Sequence, residues 1–150
     1  MRRLAPILLT AALLAGCSSD DGGTTITEPR VPGPTDTLVV FERVGGIAGV
    51  RERLDVRPDG AARIESGFTK VEAKRFKLTP AELDGLRAAR DRVDFSKLEK
   101  QYGPEQPVAD GIASTVTVDG RESTVLTEGD PPPELARLIA VCAGIVDQHS

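Results

Sequence analysis

The chain has 150 residues, 19 of them basic and 23 acidic, for a formal charge of −4. That length accommodates one ordinary domain, and the missing basic surplus excludes a nucleic-acid footprint. Aromatic residues make up 3% and Trp is absent, which removes a stacking platform for bases or sugars, and one His with two Cys cannot by themselves build a zinc site.

Residues 1–16 read as a lipoprotein signal peptide. Arg2 and Arg3 form a positive n-region, and residues 4–14 form an apolar run interrupted only by Pro6 and Thr10. The run is far shorter than the roughly 20 residues of a membrane span. It ends Leu14-Ala15-Gly16-Cys17, the small-residue-then-Cys ending of a bacterial lipobox. Cys17 is then the lipidated first residue of the mature chain. A two-chain anchor holds a protein stably at the membrane, whereas one chain is marginal. Cleavage removes two Arg and no acid, so the mature formal charge becomes −6. With Cys17 acylated, Cys142 has no partner for an intrachain disulfide, and the fold must be held by its apolar core.

Residues 17–36 are rich in Ser, Asp, Gly, Thr and Pro and cannot bury enough apolar area to offset the cost of ordering. They read as a flexible tether, and the folded domain is expected over residues 37–150. The run Leu38-Val39-Val40-Phe41 suits a strand buried on both faces. After a glycine cluster, residues 50–57 alternate: Val50, Glu52, Leu54 and Val56 share one face and Arg51, Arg53, Asp55 and Arg57 the other. Pro58-Asp59-Gly60 is a turn. Ala62 and Ile64 share a face of a third strand, and residues 70–78 make a fourth.

Thr79-Pro80-Ala81-Glu82 opens a helix with a capping box and Pro at its first position. Its inward stripe is Leu83, Leu86, Ala89 and Val93, and its end is expected near Asp94. Residues 95–110 follow as a loop with a short helical turn around residues 96–100. Residues 112–118 are β-branched and lead through Asp119-Gly120, a type I′ hairpin turn, into a returning strand over residues 121–127. A final helix from about Pro133 to Gln148 turns Leu135, Leu138, Ile139, Cys142, Ile145 and Val146 to one side. The expected fold is α+β: a mostly antiparallel sheet with two helices packed on one face.

Little in the chain points to catalysis. His149, the single His, falls one residue from the end and reads as a solvated tail. Without an internal His there is no nucleophile–His arrangement, and Cys142 lies on an apolar helix face where thiols are inert. Glu128 and Asp130 suit a solvated loop and lack calcium-loop spacing. Arg51, Arg53 and Arg57 read as the wet face of a strand. No phosphate-binding loop is present. The chain is therefore expected to be a non-enzyme without cofactor or metal.

The most informative segment is Gly45-Gly46-Ile47-Ala48-Gly49. Three Gly in five residues between strands serve either a turn that needs positive φ or a loop that must approach another molecule closely. Around this segment the chain resembles emfourin, a family of small proteinaceous inhibitors of thermolysin-like metallopeptidases. The resemblance rests on a strand ending Phe41-Glu42-Arg43, the glycine loop, and an outgoing strand. It continues through the helix opened by Thr79-Pro80-Ala81-Glu82-Leu83, then the Val116-Thr117-Val118-Asp119-Gly120-Arg121 hairpin, Glu128-Gly129 and Pro133-Glu134-Leu135. It implies a protease inhibitor, and the lipobox at Cys17 places that inhibitor at the extracytoplasmic face of a cell membrane. Its partner would be a thermolysin-like metallopeptidase that supplies the zinc. Gly45, Gly46, Ile47, Ala48 and Gly49 would form the protease-binding loop, with Ile47 in the apolar pocket beside the scissile bond. The alternative is a structural or ligand-binding surface lipoprotein on the same fold without inhibitory activity.

The lipobox reading has a direct check. Mass spectrometry of the protein extracted from membranes is expected to yield an N-terminal fragment that starts at Cys17 and carries the lipid. An unmodified Cys17 on a fully soluble chain overturns it.

Overall fold

A computed structural model describes residues 36–67, 70–105 and 108–150. The expected signal peptide, Cys17 and all of the expected tether before Asp36 lie outside these residues. The domain is α+β, with seven strands and two helices. In chain order these are β1 (Val39–Gly45), β2 (Val50–Val56), β3 (Ala61–Ser66), β4 (Glu72–Lys77), α1 (Pro80–Arg90), β5 (Gln101–Tyr102), β6 (Ile112–Val118), β7 (Arg121–Leu126) and α2 (Pro133–His149). The sheet order is β4-β3-β2-β1-β6-β7-β5, antiparallel except for the β5–β7 pair.

Strands β1 to β4 form a meander, and β6 crosses back to pair with β1 on its open side. The alternation in β2 and β3 is as the sequence implies: Leu54, Val56, Ala62 and Ile64 are buried on the helix side. β1 differs from expectation. Val39 and Phe41 are buried, but Val40 is only half-buried because the helices cover one face alone. An antiparallel sheet tolerates this one-sided cover. On the open face the register sets Arg53 between Glu42 and Glu65, and Asp55 opposite Arg63. Opposite charges directly across strands favour this alignment over a slipped one.

β6 and β7 meet at Asp119 (φ 50°) and Gly120 (φ 74°), the two positive φ angles of a type I′ turn. Helix α2 brings Leu135, Leu138, Cys142, Ile145 and Val146 onto the sheet, packing against β2 and β6. Burial pushes the Cys142 thiol up to about 12, so this free cysteine stays protonated in the core. Helix α1 lies against α2 and buries Leu86 and Ala89. It ends at Arg90, earlier than expected, so Val93 packs on the core from the connecting segment. Asp94 accepts from the Ser96 N–H at 3.1 Å, a local turn that competes with helix continuation.

The expected helical turn around residues 96–100 is absent. Residues 101 and 102 instead add a two-residue parallel strand beside β7. The buried Ser123 hydroxyl donates to the Glu99 carbonyl at 2.8 Å and holds this connection against the sheet. The outer edges are thus the very short β5 and the charged β4, whose exposed residues include Glu72, Lys74, Arg75 and Lys77.

His149 corrects the solvated-tail expectation. It is the last helical residue of α2, and its ring stacks on Phe76 with centroids 4.1 Å apart. Its Nε2 lies 2.8 Å from Glu82 Oε1. The other Glu82 oxygen accepts from the Thr79 N–H and hydroxyl, both at 2.7 Å, completing the capping box of α1. The His149 contact first, then the Thr79 hydroxyl and the Thr79 N–H, hold the Glu82 carboxyl down to about 2.

A depressed carboxyl stabilises the fold fully above its ordinary pKa of 4.5, and that contribution is lost as pH falls toward about 2. Chemical denaturation across this range is expected to show falling stability in the parent chain and a shallower fall in Glu82→Gln. Thr79→Ala should cost about 1 kcal/mol at neutral pH through loss of the cap. An unchanged acid limb in Glu82→Gln removes this carboxylate as a source of the pH dependence.

Candidate functional site

The β1–β2 connection leaves the sheet as a four-residue tip, residues 46–49, following Gly45 at the end of β1. Gly45 has φ 122° and Gly46 φ 75°, both in the region that favours glycine. A Cβ on Gly45 would stand 2.1 Å from the Gly111 carbonyl oxygen, so two backbones touch there. The Gly46 N–H donates to that same oxygen at 3.1 Å, and the Gly49 N–H closes the tip onto the Gly46 carbonyl at 3.0 Å. Turn geometry and the Gly111 approach therefore account for the glycines. They do not account for Ile47, which is 90% exposed at the tip and packs against nothing that would explain an aliphatic side chain there.

The root of the tip is braced from the helix side. Arg43 donates from Nε to Glu52 Oε2 at 2.7 Å and from Nη2 to Asp147 Oδ1 at 2.9 Å. The guanidinium is raised above its usual value, chiefly by the hydrogen bond to Glu52. Residues of β1, β2 and the end of α2 are thereby joined below the loop. A tip so held presents Ile47 with little ordering left to lose on binding.

Ile47 is not isolated. The large hydrophobic residues exposed among the described residues are Val44, Ile47, Val71, Val108 and Ile112. All five lie at one end of the sheet. Val44 and Gly45 pair with Ala113 and Ile112 of β6. Val71 follows the β3–β4 turn, where the Gly67 N–H donates to the Arg51 carbonyl at 3.1 Å. Val108 precedes Gly111, whose N–H donates to the Val108 carbonyl at 2.9 Å. Ile47, Val108 and Ile112 gather around the β1–β6 pairing, whereas Val71 stands apart at the start of β4, beyond β2 and β3.

The other sequence candidates are not assembled into a site. Cys142 is fully buried in the core. His149 is engaged with Phe76 and Glu82. Arg53 is ion-paired with both Glu42 and Asp55, so Arg51, Arg53 and Arg57 do not act as a free basic stripe. An open cleft between the end of α1 and the β6–β7 turn is lined by Arg90, Phe95, Asp119 and Arg121, but Arg90 is already paired with Asp91 and Asp119. Among the described residues no group of three or more His, Cys, Asp and Glu could hold a metal ion. None of their helices is long and apolar enough to cross a membrane.

Sequence reasoning located the Gly45, Gly46, Ile47, Ala48, Gly49 loop but missed its neighbours Val108, Gly111 and Ile112. The available signal was the parity of β6: Val116 and Val118 point inward, so Ile112 shares their side yet lies beyond the helices' cover. No known family model matches the chain, and no curated protein does so either.

The contact between the two backbones gives a stability test. Gly45→Ala is expected to cost about 2 kcal/mol or more, from a forced positive φ and a collision with Gly111. Gly144→Ala, in α2 with nothing within 4 Å of the new methyl, should instead add up to about 1 kcal/mol. Urea unfolding of both variants measures the difference. A neutral Gly45→Ala contradicts the close approach.

Proposed function

We propose that the domain is a proteinaceous inhibitor of thermolysin-like metallopeptidases, held at the extracytoplasmic face of the cell membrane by a lipid on Cys17. The observation that carries the reading is Ile47, 90% exposed at the tip of a hairpin pinned by the Gly46–Gly111 hydrogen bond. The emfourin resemblance supplies the target class. A scaffold could leave such a loop packed, whereas an inhibitor needs it projecting.

In this reading the tip enters the protease cleft as a pseudo-substrate. Ile47 fills the apolar pocket beside the catalytic centre. Gly46 and Gly49, lacking side chains, let the backbone come close to the cleft wall. The hairpin fixes the loop's shape before binding, so association costs little loop ordering. The inhibitor brings no metal, since the protease holds the zinc. The lipobox ending at Cys17 supports the location, with the domain acting on proteases that reach the membrane surface.

The test is the inhibition constant against one susceptible thermolysin-like enzyme. Full burial of an aliphatic side chain is worth about 1.5–3 kcal/mol. Ile47→Ala should therefore weaken inhibition by about 10- to 150-fold with an unchanged melting temperature, because the side chain makes no core contact. Ile47→Asp should abolish inhibition by placing a charge in an apolar pocket. Equal constants for the parent and Ile47→Ala remove Ile47 as the anchor. A parent chain that inhibits none of a panel of such enzymes overturns the function.

A further inference from the structure

We infer that the protease-binding surface is bipartite, with Val108 and Ile112 forming a second apolar contact beside Ile47. The inference rests on the inhibitor reading and assigns the rest of the same surface. Ile112 opens β6 directly opposite Gly45. A Cβ on Gly46 would lie 3.7 Å from Ile112 Cγ1, so the Ile112 side chain rests against the backbone that carries Ile47. A larger residue at position 46 would cover Ile112; glycine leaves it open.

The second segment is as firmly held as the first. The Ile112 N–H donates to Thr127 Oγ1 at 2.7 Å, and its carbonyl accepts from the Thr127 N–H at 2.9 Å. Gly111 is tied forward to Gly46 and back to Val108. Backbone hydrogen bonds thus join the two loops. Val108 and Ile112 are 40% and 38% exposed.

The occupant is the cleft of a folded protease. Two rigid aliphatic contacts from separate chain segments match two fixed walls, a primary pocket for Ile47 and an apolar lip beside it. A flexible peptide offers no such walls. The exposed carboxylates Asp110 and Glu128 flank the second segment, so the lip should be bordered by basic groups. The chain enters β1 at Val39, and this edge lies at the strand's other end, about 20 Å away for a seven-residue strand.

The experiment measures inhibition by the full-length chain in mild detergent. It compares the parent with Ile47→Ala, Ile112→Thr, Val108→Ser and Val71→Ser, with a thermal unfolding curve for each. Ile112→Thr keeps β-branching for the strand, and Val108→Ser lies outside any strand, so one of the two remains interpretable if the other unfolds. Each is expected to raise the inhibition constant about 3- to 10-fold, less than Ile47→Ala because less area is available to bury. Val71→Ser, at the β3–β4 turn, should leave it unchanged. The Asp110→Asn, Glu128→Gln double variant should slow association at low salt and lose that effect at high salt. A parent that inhibits and an Ile47→Ala that weakens, combined with unaltered Ile112→Thr and Val108→Ser, overturn the second contact and leave the inhibitor standing. Weakening at Val71 in place of Ile112 and Val108 overturns it too. A parent without inhibition overturns both readings together.

Discussion

Helix α2 supplies Leu135, Leu138, Cys142, Ile145 and Val146, all buried, to a sheet with only one covered face. Each fully buried aliphatic is worth about 1.5–3 kcal/mol, and these five meet Phe41, Leu54, Val56, Ile64 and Val116 from the sheet. Cys142 sits within this face as a free thiol, so no covalent link from it shares the load. The strands α2 packs against, β2 and β6, flank β1, from which the β1–β2 tip emerges. The same helix then reaches the tip through Asp147 and Arg43, and reaches β4 and α1 through His149. The loop edge is thus fixed by the element that forms the core.

The elements whose signals are local were legible in the sequence. β6 and β7 follow from β-branched residues around Asp119-Gly120, and both positive φ angles are present. Helix α1 begins where Thr79 and Glu82 place its cap. Its end was not legible, because the helical stripe continues to Val93 while Asp94 and Ser96 turn the chain away. β5 has two residues and no period to detect; its existence depends on β7 lying alongside. His149 looked like a tail because its ring partner, Phe76, is far away in the chain.

The candidate site divides along the same line. Gly45, Gly46 and Gly49 are visible as a loop from their spacing, and Ile47 as its apolar member. Their neighbours Val108 and Ile112 are brought there by the crossover that inserts β6 beside β1. That adjacency spans most of the domain and has no local signature. The glycine cluster itself had two readings, turn and recognition. The turn and the Gly45–Gly111 approach absorb the glycines; Ile47 is the residue the fold leaves unexplained.

An open sheet carries a hazard that this one limits at its β4 edge. Unpaired strand edges recruit other edges, and crowding makes such encounters frequent. Two copies meeting through β4 would bring Lys74, Arg75 and Lys77 of each strand together, with Glu72 the strand's single acid. At the opposite margin β5 offers only two residues, too little ladder to capture a foreign strand. The fold can therefore keep a long antiparallel sheet exposed on one face while discouraging fibrous self-association.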